Sequence, residues 1–74
     1  MPDEGSGAHN AIGHILVAFP EESRESLEVV GDGVDLERAT RQVAVRSSGW
    51  EYRVDVRTTP SGFPFVVAHQ RVSR

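Results

Sequence analysis

The sequence predicts a small α+β domain, an antiparallel four-stranded sheet with one helix packed on a face, in the order β-β-α-β-β. Three observations carry this. Residues Trp50 to Arg57 alternate apolar and charged with period two, Leu36 to Arg46 carry an apolar stripe at helical spacing behind an aspartate, and valine fills eleven positions. The first pattern is that of a half-buried strand, the second that of a capped helix, and valine favours the pleated surface of a sheet.

Residues 1–12 read as a flexible N-terminal tail, since Met1 to Asn10 is rich in Gly, Ser, Asp and Glu without periodic apolar residues. Residues 13–74 then form the single domain. Ile15 to Phe19 is a continuous apolar run closed by Pro20, too short for a typical helix, and reads as a buried strand over Gly13–Pro20. Glu21 to Glu25 is a charged connector. Ser26 to Val30 follows with Leu27 and Val29 on one face and Ser26 and Glu28 on the other, the alternation of a second strand.

Gly31-Asp32-Gly33 breaks that strand, and Asp35 stands where a helix N-cap belongs. The expected helix runs from Leu36 to Arg46, with Leu36, Ala39 and Val43 on its apolar stripe and Glu37 and Arg41 four apart in the favourable acid-first order. Ser47-Ser48-Gly49 ends it, with Gly49 as the left-handed cap. The remainder reads as a hairpin. Trp50, Tyr52, Val54 and Val56 form the core face of its first strand, with Trp50 buried against the helix, and Glu51, Arg53, Asp55 and Arg57 form the outer face. Thr59-Pro60-Ser61-Gly62 suits a type I turn, and Phe63 to Val72 is the returning strand, with Pro64 confined to its start or to a sheet edge because it has no N–H to donate.

Length and composition exclude several classes of function. At 74 residues the chain holds one core, and it has no cysteine, so its stability comes from packing or self-association. With no cysteine, no apolar run near the roughly 20 residues that span a bilayer, and no basic segment before an apolar one, the expected location is cytoplasmic, with no membrane partner. All eight basic residues are arginine. Without lysine there is no Schiff-base chemistry and no P-loop lysine, whereas guanidinium forks suit carboxylate or phosphate recognition. Charge is uneven: Met1 to Glu37 has nine acids against one arginine, net −8, and Arg38 to Arg74 has seven arginines against two acids, net +5.

No constellation in the chain makes a catalytic site. His9 and His14 lie on no scaffold that presets metal-ligand geometry, so no metal site is expected. Ser47, Ser48, Thr58 and Ser61 belong to cap and turn chemistry, and His69 to a sheet surface. Glu21, Glu22, Glu25 and Glu28 form a solvated connector and a polar strand side, with no apolar pocket to drive their proton affinities apart. Gly31-Asp32-Gly33 lacks the third glycine or the Gly-Lys-Ser/Thr ending of a phosphate cradle and is flanked by Asp35. No cofactor and no small-molecule substrate is expected.

By elimination the sequence points to a non-enzymatic binding or regulatory module acting on a protein partner, or on a second copy of itself as a homodimer, through a sheet edge or helix face. The alternative is a nucleic-acid-binding regulator using the arginine-rich half. Arg38, Arg41, Arg53, Arg57, Arg71 and Arg74 form the candidate binding surface in either case.

Overall fold

The computed structural model describes residues 4–74. Helix α1 (Glu4–Ala18) is followed by a short 3-10 turn (Arg24–Ser26) and four strands, β1 (Glu28–Asp35), β2 (Thr40–Arg46), β3 (Trp50–Thr58) and β4 (Pro64–Ser73). The strands form one antiparallel meander in the spatial order β1-β2-β3-β4. The composition class and the strand number are as expected from the sequence, but the order is α-β-β-β-β, not β-β-α-β-β.

Two segments exchange roles. Gly13–Pro20 is not a strand: it is the second half of α1 together with its exit, and residues 4–12, read as tail, form the first half. Ala8, Ala11, Ile12, Ile15, Leu16 and Phe19 recur at offsets of three and four, the period of a helix with one apolar face. Pro20 stops the helix and does not close a strand, and the Phe19 N–H still bonds to the Ile15 carbonyl at 2.8 Å. Residues 1–3 of the expected tail lie outside the described residues.

Leu36–Arg46 is not a helix. Leu36 to Ala39 is the loop of a β1–β2 hairpin closed by the Asp35–Thr40 pair, and β2 follows at once. Asp35 does cap, but it caps a turn: its Oδ1 accepts the Glu37 and Arg38 N–H groups at 3.1 and 3.2 Å. Ala39 completes the loop with φ at 54°. Gly31-Asp32-Gly33 does not break β1, which runs through it with a bulge between Val29 and Gly31. Gly49 belongs to the tight β2–β3 turn and caps no helix. That turn is held by the Ser47 N–H to Trp50 carbonyl bond at 2.8 Å.

The last hairpin follows its pattern. Thr59 to Gly62 turns with a Gly62 N–H to Thr59 carbonyl bond of 2.8 Å, and Pro64 opens β4, an edge strand. α1 lies over β2, β3 and β4. Ala11 and Ile15 from the helix meet Val43, Val45, Tyr52, Val54 and Val56 in the buried core. Trp50 is half-buried at the margin of this core and packs under no 36–46 helix; the Arg71 guanidinium covers it at 3.9 Å from the ring centroid.

Candidate functional site

β3 sorts its side chains cleanly. Tyr52, Val54 and Val56 face α1, and Glu51, Arg53, Asp55 and Arg57 point to the opposite face. On that open face their register neighbours are Arg46, Ala44 and Gln42 from β2, and Val72, Gln70, Ala68 and Phe65 from β4. No element among the described residues covers the small side chains of Ala44 and Ala68, so the charged groups beside them stand above a shallow floor. Two depressions of about 360 and 380 Å³ flank Asp55 and share Arg38 and Ala68; Arg53 borders one and Arg57 the other.

Asp55 organises this centre. Its Oδ1 accepts a bond from the Gln42 side-chain amide at 3.1 Å, and its Oδ2 lies 3.9 Å from Arg38 Nη1. Arg57 Nη2 donates to the Arg38 carbonyl at 3.1 Å, which draws the loop end of the first hairpin over the third strand. Phe65 and Val67 on β4, 42 % and 45 % exposed, give the same face an apolar border.

The six arginines do not form one surface. Arg38, Arg53 and Arg57 gather on the open face. Arg41 lies on the helix side of β2, where its Nε is 3.5 Å from Asp32 Oδ1 and its Cδ lies so close to Gly7 that a Cβ there would come within 3.0 Å. Arg71 bonds to Glu21 at 3.0 Å and spreads over the rings of Phe19 and Trp50. Arg74 donates to the Ser47 carbonyl at 2.7 Å. Of the three ion pairs among the described residues, Arg41–Asp32 and Arg71–Glu21 join the acidic half of the chain to the basic half.

A second cluster sits at the end of α1, marked in the sequence only by the adjacent Glu21 and Glu22. Those glutamates form no free connector. Glu22 Oε2 accepts the buried Tyr52 hydroxyl and the Ser47 hydroxyl, the latter at 3.0 Å, and Ser26 Oγ donates to Oε1 at 3.3 Å. The Tyr52 hydrogen bond, before any other cause, holds the Glu22 carboxyl below its ordinary range. Burial, and then the Glu22 carboxylate, push the Tyr52 phenol above its own. A protonated phenol giving its hydrogen to an anionic carboxylate ties the connector to the sheet.

Beside it, His14 Nε2 and His69 Nδ1 face each other at 2.9 Å across the α1–β4 boundary. Burial, followed by the neighbouring imidazole, lowers the proton affinity of His14. No group of three or more His, Cys, Asp or Glu side chains converges among the described residues, and His9 is exposed elsewhere on the helix. No described helix is long and apolar enough to cross a membrane. No protein-family model matches the chain, and neither the curated proteins nor the solved structures give a match.

Proposed function

We propose that this domain is a non-enzymatic binding module that engages a protein partner through the open face of its sheet. The observation that carries the reading is the gathering of Arg38, Arg53 and Arg57 around Asp55 on a face that no element among the described residues covers, bordered by Phe65, Val67 and Val72. Forked cations beside exposed apolar side chains suit a partner surface that offers carboxylates next to hydrophobic groups. The cytoplasm is the setting we propose for it, a reading in keeping with a sequence that has no cysteine to form a disulfide.

A sheet edge is the weaker route to a partner. Both edge strands are bulged, β1 between Val29 and Gly31 and β4 at Val67, where two residues of β4 oppose one step of β3. Bulges twist an edge out of the line that a pairing strand needs. Pro64 further shortens the donor row of β4.

Nucleic acid is the second reading, favoured by one observation: Phe65 pairs with Arg57 on the open face, an aromatic beside a cation. A photo-crosslinking residue placed at Ala68, with a control at Val17 on the outer surface of α1, separates these readings in the cells that express the chain. The proposal expects a protein adduct from position 68 alone, lost in the Arg53→Glu/Arg57→Glu variant. Equal adducts from both positions would overturn it. A nucleic-acid adduct at 68, with binding in vitro that weakens steeply as salt rises, would put the second reading in its place.

A further inference from the structure

We infer that the partner of the open face is a second copy of this chain, stacked face to face about a two-fold axis with β3 antiparallel to β3; the inference rests on the reading of that face as the binding surface. Along the open side of β3 the charges run Glu51, Arg53, Asp55, Arg57, negative and positive in strict alternation. A two-fold axis that lies between the sheets and crosses β3 at Val54 reverses this order, so that Glu51 meets Arg57 of the second copy and Arg53 meets its Asp55. Symmetry repeats each contact, which makes four pairs of opposite charge. A two-fold axis laid along β3 instead sets each of these residues opposite itself, and all four pairs repel. The alternation therefore selects one arrangement.

The neighbouring strands agree with the same axis. On β4, Val72 pairs with Glu51 and Phe65 with Arg57, so the reversal lays Val72 of one copy on Phe65 of the other, both of them exposed apolar side chains. Ala44 stands beside Arg53 and Gln42 beside Asp55, while Ala68 stands beside Asp55 and Gln70 beside Arg53. Each alanine thus falls opposite a glutamine, a long side chain over a short one. Gly31 and Gly33, the β1 partners of Ala44 and Gln42, add no side chain, so the sheets can approach to the separation of about 10 Å found between packed sheets. Asp55 has an oxygen for the incoming guanidinium: Oδ1 holds Gln42, whereas Oδ2 has Arg38 at 3.9 Å, beyond hydrogen-bond length. The pairing that opposes the arrangement, Glu28 with Asp35 at the β1 edge, is offset by Arg46 beside Glu28. Four strands spaced about 4.8 Å apart and seven residues rising about 3.3 Å each make a contact of roughly 19 by 23 Å, small for a specific interface. The dimer is accordingly of micromolar affinity, with the face free in dilute solution and covered at high concentration.

Analytical ultracentrifugation of the full chain from submicromolar to submillimolar concentration tests the arrangement. The expected result is a reversible dimer with a micromolar dissociation constant. Arg53→Glu and Asp55→Arg should each weaken association by about tenfold or more, because each makes both central pairs repulsive. Mixed in equal amounts, the two variants should associate again, since every charge on one β3 then faces its opposite on the other. A native chain that stays monomeric throughout, single variants that associate as the native chain does, or a mixture no more associated than its components would overturn the inference. The native series needs no variant, so the test survives one that fails to fold. A monomeric chain whose position 68 still captures a different protein in cells overturns the second copy as partner and leaves the binding module standing, whereas a chain with no protein adduct at 68 overturns both.

Discussion

Tyr52 is the residue on which the helix end, the connector and the sheet converge. It is fully buried, its ring lies 5.1 Å from Phe19, and its hydroxyl reaches Glu22. Tyr52→Phe keeps the ring and removes the hydrogen bond, so we expect a loss of about 1 kcal/mol by chemical denaturation, held down because water can reach the freed carboxylate. The pH dependence has a defined sign. The folded Glu22 carboxyl is more acidic than the ordinary value of 4.5, so the unfolded chain binds more protons in the interval between. Glu22 thus contributes stability in full above that ordinary value, and loses it as pH falls through the folded pKa. Denaturation across the acid range should show this slope in the native chain and a flatter one in Glu22→Gln. His14 acts in the same direction at higher pH: its folded pKa lies below 6.5, so stability falls as pH drops below 6.5. His14→Gln should remove that part of the slope.

Among the elements, β3 and the turn after it were legible because each strand residue alternates and each turn residue has one use; Trp50 to Gly62 needed no tertiary information. α1 was not legible as a helix. Its helical period runs through Ala8, Ala11 and Ile15, but the unbroken run Ile15 to Phe19 matches a buried strand equally well, and the small polar residues before it read as a tail. β2 was hidden by a competing pattern. Leu36, Ala39 and Val43 have helical spacing, yet Leu36 is 88 % exposed, and Val43 and Val45 gain their burial only because β1 and β3 flank them. Tertiary pairing overrode local spacing here. Two substitutions test these elements. Ile15→Ala should cost about 3 kcal/mol, a large share of the stability of so short a chain, because Ile15 is the largest fully buried side chain that α1 sends into the core. Ala39→Gly should stabilise by about 0.5 kcal/mol, since glycine adopts the left-handed conformation at φ 54° without a Cβ penalty but is freer when unfolded. A lower denaturation midpoint for Ala39→Gly would contradict the hairpin assigned to residues 36–39.

For the whole molecule, the charge polarity of the sequence resolves into a division between faces. Asp32 and Glu21 engage Arg41 and Arg71 on the helix side, whereas Arg53 and Arg57 stay exposed on the open side. The candidate surface was legible as residue type but not as geometry, because which arginines share a face depends on strand register. One face of β3 is sealed under α1, and the opposite face is the one through which we propose that a partner binds. The chain has no cysteine, so single thiols report each face directly. Thiol labelling of Arg53→Cys and Val54→Cys, in the purified protein and in expressing cells, is the most direct measurement. Position 53 should label rapidly and position 54 should stay protected in the purified protein, with 53 becoming protected in cells. Slow labelling at 53 in isolation, fast labelling at 54, or no difference at 53 between the two settings would contradict it.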